Sequence, residues 1–482
     1  MDPHQMVQLL GPWSEQKGPL YERLAHAFEQ VIRTGELPAQ TRLPAERWLA
    51  QCLGVSRSTI VAAYALLQER GWVTSRRGSG TEVCTFSPQR SLRLRRQQLN
   101  PLARGPVMDS YLSDHLEAID LSAGAPAWPT GFASQECALL PHQIAASLEQ
   151  YGYLPQGLPE LRQAIAEYFT RSGLRTRPER ILVTTGAQQA IGLLATLLLQ
   201  RGDTVILENP TFFGAIDTFR AAGARLAGVP NDASGLDLQR VSELLSARVA
   251  QCLYLIPTFH NPTGNTLTEM ERRELVTMAQ QVNMPIIEDL TMANNVLEGE
   301  PPPPLATYAQ DGGVITIGSL SKLFWAGLRV GWIRGSVPLI ERLARLKALT
   351  DLGSSMISQL IAVRLMASVE HVKELRRQEL TPRRNLLLDV REQRAPSWSW
   401  RRPKGGLFVW VHLPEGDARD LAQEALHKGV IVTPGITLSV DGSHTAWLRI
   451  PFLLPPDRLQ LGLERLIETW EHYSEGIHFP MP

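Results

Sequence analysis

Between Ile181 and Lys322 the chain returns five times to one pattern, a short apolar run that breaks into a polar or glycine-rich loop. The runs are ILVTT, TVILENP, CLYLIPTFHNPTG, MPIIEDL and GVITIGSLSK. Each reads as a short buried strand, and the first leads through a glycine turn into the helical segment AQQAIGLLATLLL. Strands alternating with helices confine this region to an α/β architecture whose sheet is mixed and mostly parallel. After about Met366 the texture changes to helices plus the strand-like segments LFVWVHLP, VIVTPG and TAWLRIPF. That change predicts a smaller C-terminal α+β subdomain over about 367–480, inside a domain spanning 120–480.

At 482 residues the chain exceeds one ordinary domain, and residues 14–84 read as a separate unit. PLYERLAHAFEQVIRTG sets Leu20, Leu24, Ala27, Phe28 and Ile32 at helical spacing and stops at Gly35. A second helix follows Pro44 and ends near Gly54. Ser56 caps a third helix that runs through Tyr64 and Leu67 to Gly71, and WVTSRRGSGTEV reads as two strands around a glycine turn. Residues 85–119, rich in Arg, Gln and Pro with no amphipathic period, read as a linker. As a flexible coil it would span about 30–35 Å.

The whole chain carries 48 basic and 48 acidic residues, so binding to nucleic acid has to come from a local patch. Residues 41–82 supply one, with six arginines against three glutamates. The start of the third helix presents Ser56, Arg57, Ser58 and Thr59, small polar and cationic groups suited to a major groove or to a phosphate. Arg57 can take a guanine bidentately or clamp a phosphate, and Arg47, Arg76 and Arg77 flank it. The alternative is a small helical domain whose serines only cap helices. Four scattered cysteines with no CxxC spacing fit free thiols in a reducing compartment. No signal-peptide pattern opens the chain, and the longest apolar stretch, residues 191–199, is too short for a bilayer. The expectation is a soluble cytoplasmic protein with no membrane partner and no metal.

The loops that end the strands carry a coherent set of groups. Lys322 follows a strand in GSLSK, Asp289 ends MPIIED, and Asn261 sits in HNPTG. Gly186, Ala187 and Gln188 open a helix whose amides and dipole can receive a phosphate, and Ser319, Ser321 and Arg329 can complete that cup. Phe212 can stack on a ring, and Arg449 in LRIPF offers a fork that matches a carboxylate. These are the requirements of pyridoxal 5'-phosphate (PLP). Lys322 would form the Schiff base, Asp289 would pair with the pyridine nitrogen and Asn261 would donate to the ring hydroxyl. For Asp289 and Arg449 taken singly, a structural ion pair is the alternative.

The first unit resembles the GntR-type winged helix-turn-helix through PLYERLAHAF, GELPAQTRLPAERWLA, GVSRSTIVAAY and RRGSGTEV. That resemblance implies operator contacts by Arg47, Ser56, Arg57 and Gly80. From about Asp120 onward the chain looks like a fold-type-I aminotransferase, and YGYLPQGLPELRQAIAEYF is similar to that family's segment near the active-site entrance. The fusion resembles the MocR subfamily of GntR regulators. It implies a transcription factor that binds double-stranded operator DNA, holds PLP on Lys322 and forms a head-to-tail homodimer. PLP, or an amine or amino acid forming an external aldimine with it, would be the effector.

Three departures from the family bear on catalysis. Thr291 and Met292 stand where a tyrosine is common, which leaves the ring hydroxyl to Asn261 and Thr291. Phe212 replaces a frequent tyrosine, and Ala326 replaces the proline of PGLR. The residues hold the cofactor while losing hydroxyls that tune transamination, so a regulator is the leading reading. An active aminotransferase with a vestigial DNA-binding domain is the alternative, and a sensor of PLP supply alone is a third.

Overall fold

The computed structural model describes residues 3–11, 13, 19–34, 36–38, 41–69, 72–76, 80–83, 118–149, 151–310 and 312–478. The chain separates into two compact units, Met1–Ala103 and Arg104–Pro482.

In the first unit the helix Leu20–Thr34 buries Leu24, Phe28, Val31 and Ile32 along one face, the stripe expected of an amphipathic helix. The helices Glu46–Leu53 and Arg57–Glu69 follow and meet at 116°, a helix-turn-helix angle. Gly54 makes that corner at φ +65°, where its N–H reaches the Ala50 carbonyl and closes the first of the pair. Ser56 Oγ accepts from the Thr59 N–H at 3.1 Å and caps the second. Strands β1 (Val73–Arg76) and β2 (Gly80–Val83) pair antiparallel. They are tied to the segment before the second helix by Leu43 N–H to Thr81 O and Val83 N–H to Thr41 O. Tyr64 donates to the Pro44 carbonyl at 3.0 Å, and its ring packs edge-on to Phe28.

One element of this unit has no sequence signal. The helix Pro3–Leu10 places Met6 and Leu10, followed by Trp13, in the same core. Eight residues do not sustain a helical period on their own; packing against the two following helices holds the segment. Of the expected linker, only the residues from 118 onward are described, and Ile119 there already belongs to a strand. Residues 85–117 lie outside the described residues.

The second unit is built on an eight-stranded sheet in the order β4-β11-β10-β9-β8-β5-β6-β7. Its strands are β4 (Ile181–Thr184), β5 (Thr204–Asn209), β6 (Arg225–Asp232), β7 (Gly235–Leu236), β8 (Ala250–Leu255), β9 (Ile286–Asp289), β10 (Val314–Ser319) and β11 (Gly331–Arg334). Strands β6, β5, β8, β9 and β10 are parallel neighbours. β11 runs antiparallel to both β10 and β4, so β4 shares the direction of the parallel set. Alternate residues feed opposite cores: Ile181 and Val183 one, Leu182 the other; Leu253 and Leu255 one, Cys252 and Tyr254 the other. Burial on both faces explains why these strands read as continuous apolar runs.

A four-stranded sheet completes the unit in the order β12-β14-β13-β3, from β12 (Phe408–His412), β14 (Trp447–Pro451), β13 (Val430–Pro434) and β3 (Ile119–Leu121). β3 runs parallel to β13. The smaller sheet therefore takes an edge strand from just past the linker as well as from the C-terminal residues to which it was expected to belong. A three-residue strand whose partner strand begins only at Val430 carries no local period to read.

Gly331 lets β11 approach the turn after β4, and Gly318 on β10 makes room for the Trp332 ring of β11. A Cβ on Gly331 would lie 2.8 Å from the Gly186 Cα, and one on Gly318 would lie 2.4 Å from the Trp332 ring. We expect Gly331→Ala to destabilise the second unit by about 1–3 kcal/mol through overpacking. A thermal melt checks it, and an unchanged melting temperature would contradict this packing.

Candidate cofactor site and DNA-binding surface

Because β4, β5, β8, β9 and β10 run one way, their carboxyl ends share one edge of the sheet. Ligands of open α/β sheets bind at such an edge. A cavity of about 370 Å³ opens there. All the groups proposed from sequence for the cofactor line it: Gly186, Ala187 and Gln188 after β4, Phe212 after β5, and Asn261 after β8. Asp289 and Thr291 follow from β9, and Ser319, Ser321, Lys322 and Arg329 from β10 and its loop. Arg449 enters from β14 of the smaller sheet, together with Phe408 of β12.

One end of the cavity is built for an anion. Gly186 has φ +126°, a conformation closed to residues with a side chain, and from it the helix Ala187–Leu198 starts with its first N–H groups unclaimed by the helix. The guanidinium of Arg329 lies 3.4 Å from where a Gly186 Cβ would stand. Arg329 itself is left-handed, at φ 52° and ψ 48°, a conformation that costs a non-glycine residue about 1–3 kcal/mol and is found where a site demands it. Ser319 Oγ and Ser321 Oγ sit 3.0 Å apart in the same corner.

The other end holds a carboxylate out of water. Burial pushes the Asp289 carboxyl above its ordinary range, against hydrogen bonds from Thr291 and Tyr254 and the charge of Lys322. The Tyr254 hydroxyl donates to Asp289 Oδ2 at 2.8 Å, and the Thr291 N–H donates to Oδ1 at 2.9 Å. Thr291 thus braces Asp289. Tyr254 was missed from the sequence, where CLYLIP reads as plain apolar strand. Its place, like that of Asp289, at the core of the parallel set was the signal available. The Gln188 side chain is spent on Gly214 O and Thr218 Oγ1 at 3.1 and 2.7 Å.

Lys322 and Arg449 meet between these ends. Lys322 Nζ donates to the Gly124 carbonyl at 2.8 Å. Burial lowers its pKa to about 8, helped by Arg449 and Arg329 and opposed by Asp289. Arg449 donates to Asn261 Oδ1 at 3.2 Å, to the Ser122 carbonyl at 2.8 Å and to Thr433 Oγ1 at 3.4 Å, with its guanidinium carbon 4.3 Å from the Phe408 ring centroid. This contact engages Asn261 through its amide oxygen and makes no use of its N–H₂. Neither Gly124 nor Ser122 was singled out from sequence.

On the first unit, Ser56, Ser58 and Thr59 form a hydroxyl cluster at the start of the third helix, with Ser56 Oγ 2.8 Å from each of the other two. Arg57 projects beside them and donates to Glu46 Oε2 at 3.2 Å, an exposed pair worth at most about 1 kcal/mol. Its guanidinium is therefore held beside the neighbouring helix by a contact that is cheap to exchange. Arg47 is exposed one residue after Glu46. Arg76 and Gly80 face each other across β1 and β2, and Arg77 lies outside the described residues.

Two expectations follow. A lysine with a pKa near 8 is half neutral at that pH, so the rate of PLP capture by the ligand-free protein should climb with a midpoint near pH 8 and level off above it. An ordinary lysine would show a midpoint above pH 10. Between about pH 8 and 10.5 the unfolded chain holds the extra proton, so this lysine makes stability rise with pH across that window. Stopped-flow absorbance across pH checks the first, and a midpoint above 10 would contradict it. For the helix start, Arg57→Ala should weaken operator binding about 10-fold or more with an unchanged melting temperature. Fluorescence anisotropy measures it, and equal affinity would remove Arg57 from the interface.

Residues 117–466 match the family model of aminotransferase class I and II, and residues 20–83 match that of bacterial regulatory proteins, gntR family. The chain is 34% identical over 446 residues to the uncharacterized HTH-type transcriptional regulator YdfD of Bacillus subtilis, covering 87% of this chain and 90% of the relative. It is 30% identical to aromatic-amino-acid aminotransferase 1 of Thermococcus litoralis, over 73% of this chain and 88% of that one. Among solved structures it resembles the α-aminoadipate aminotransferase LysN of Thermus thermophilus, with a TM-score of 0.67 and 29% identity over 77% of this chain and 97% of the other. The cavity fits PLP on its own chemistry. It offers an amide-and-arginine cup that suits a dianion, a buried carboxylate that suits a pyridinium, and a lysine of lowered pKa. The chain belongs to the MocR subfamily of GntR regulators, a gntR-type winged helix joined to a PLP-dependent aminotransferase class I and II domain.

Proposed function

We propose that this chain is a cytoplasmic transcriptional regulator that reads an operator through its winged helix and takes its signal at the PLP site. The carrying observation is that all the residues required to hold the cofactor line one cavity, in a chain that also has a gntR-type DNA-binding unit. Bound PLP supplies an aldehyde that condenses with amines and a ring that withdraws electrons. The residues divide the remaining work. The amides of residues 186–188, Ser319, Ser321 and Arg329 bind the phosphate, and Phe212 covers the ring. Asp289, braced by Tyr254 and Thr291, keeps the ring nitrogen protonated. Asn261 donates to the ring hydroxyl, Lys322 provides the attachment amine and Arg449 receives the effector carboxylate. Arg47, Ser56, Arg57, Ser58, Thr59, Arg76, Arg77 and Gly80 form the DNA-reading set. The working limits are 14–84 for the winged helix and 120–480 for the cofactor domain.

A head-to-tail homodimer belongs to this reading. Leu148, Tyr151, Tyr153, Leu349, Leu352 and Ile357 are all exposed. Their two segments lie side by side, since Gly353 packs against the Leu154 backbone and Gly152 against Met356. An apolar surface of that kind supports burial against a second copy. Among the described residues no single helix is long and apolar enough to cross a membrane.

A ligand shifts the regulator only by binding its two states unequally. Lys322→Ala should abolish the visible absorbance of the lysine-bound cofactor and any ligand-dependent change in operator affinity. An unchanged spectrum and response would sink the proposal. The cavity also keeps attachment lysine, ring carboxylate and carboxylate-binding arginine together, which favours a second reading as a working aminotransferase. That reading requires sustained turnover of an amino acid with a 2-oxo acid. If PLP alone sets operator affinity and amino acids add nothing, the chain senses cofactor supply.

A further inference from the structure

The cofactor cavity has one charged wall residue for which PLP has no use. Asp217 lines it from the helix Phe213–Ala221, together with Phe213 and Gly214 of the same helix. That helix is pinned at this point. Thr218 Oγ1 donates to the Gly214 carbonyl at 2.6 Å, and Gln188 Nε2 donates to the same carbonyl at 3.1 Å and to Thr218 Oγ1 at 2.7 Å. A Cβ on Gly214 would stand 2.4 Å from Gln188 Oε1 and 2.5 Å from the Phe212 ring, so the helix lies tight against both.

Asp217 is half-buried, and among the described residues its carboxylate has no hydrogen bond or ion pair. Burial pushes the carboxyl above its ordinary range, opposed by the charge of Arg220 one turn along the helix. The Arg220 guanidinium donates instead to the Val440 carbonyl at 2.7 Å. A carboxylate partly withdrawn from water without a partner is destabilised, and a cation brought beside it offsets that penalty. PLP brings no such cation, because its phosphate is an anion and its ring nitrogen is matched by Asp289. The cation has to arrive with the ligand.

We propose that Asp217 selects effectors that carry a second cationic group, beyond the amine that meets the cofactor. This rests on the reading of the cavity as the PLP and effector site, and it narrows the effector class to diamines and basic amino acids. The far ammonium donates to the Asp217 carboxylate, a hydrogen bond strengthened by charge on both partners. The apolar stem between the two nitrogens runs along a wall that Phe213 lines.

The test uses N-(5'-phosphopyridoxyl) adducts of α,ω-diamines with three to six carbons. Each is compared with the adduct of the monoamine of the same length, which lacks only the terminal ammonium. Affinity for the full-length, ligand-free chain is read by fluorescence titration. At the length that spans from the ring to Asp217, the diamine adduct should bind about 10-fold more tightly than its monoamine counterpart. The Asp217→Asn variant should bind the two alike. Equal affinities at every length in the unaltered chain would overturn the proposal, and so would a preference that persists in Asp217→Asn. Tight but equal binding of both adducts overturns the role of Asp217 alone, whereas failure of both to bind overturns the cofactor reading and the proposal with it.

Discussion

Asp289 stands at the end of a strand buried on both faces, with its carboxyl removed from water and the charge of Lys322 acting on it. Two hydrogen bonds, from Tyr254 and from the Thr291 backbone, fix its orientation, and burial works against its charge. A group in that position is costly unless something positive arrives. Around it the same cavity is lined by a lysine of lowered pKa, by the helix start at Gly186 with Arg329, and by residues of the smaller sheet. The parallel arrangement makes this possible, because five strands deliver their loops to one edge.

The site is completed across two sheets. Lys322, Asp289 and the anion cup come from the large sheet, whereas Arg449 and Phe408 come from the small one, whose edge strand β3 lies just past the linker. Arg449 bridges these parts through Asn261, Ser122 and Thr433. Arg449 thus ties parts of the two sheets together, and the Lys322 contact to Gly124 adds a second tie to the same segment.

Much of this was legible in the sequence because loops at strand ends carry their chemistry in short runs. GSLSK, HNPTG and the end of MPIIED identify Lys322, Asn261 and Asp289 by residue type and by the apolar run before each. What escaped had no local signature. Tyr254 lies inside an apolar strand, and only the packing of β8 beside β9 turns its hydroxyl onto Asp289. Ser122 and Gly124 act through backbone carbonyls, which any residue possesses. The side chain of Gln188 sat at the right position and yet turns to Gly214 and Thr218. In the winged helix, the serines, threonine and Gly54 announced their helix ends, whereas the helix Pro3–Leu10 exists through the core it joins and the pairing of Arg57 with Glu46 depends on the 116° corner.

The central claim is that one ligand equilibrium governs both the cofactor site and the DNA-binding unit. Binding linkage makes such coupling reciprocal. The most direct measurement is a titration of the PLP-loaded protein with amino acids in which cofactor absorbance and operator affinity are followed together, with and without saturating operator. The account predicts an amino acid that shifts both signals with one midpoint, and a midpoint that moves when operator is present. A spectral shift that leaves operator affinity untouched, accompanied by steady turnover with a 2-oxo acid, would contradict it.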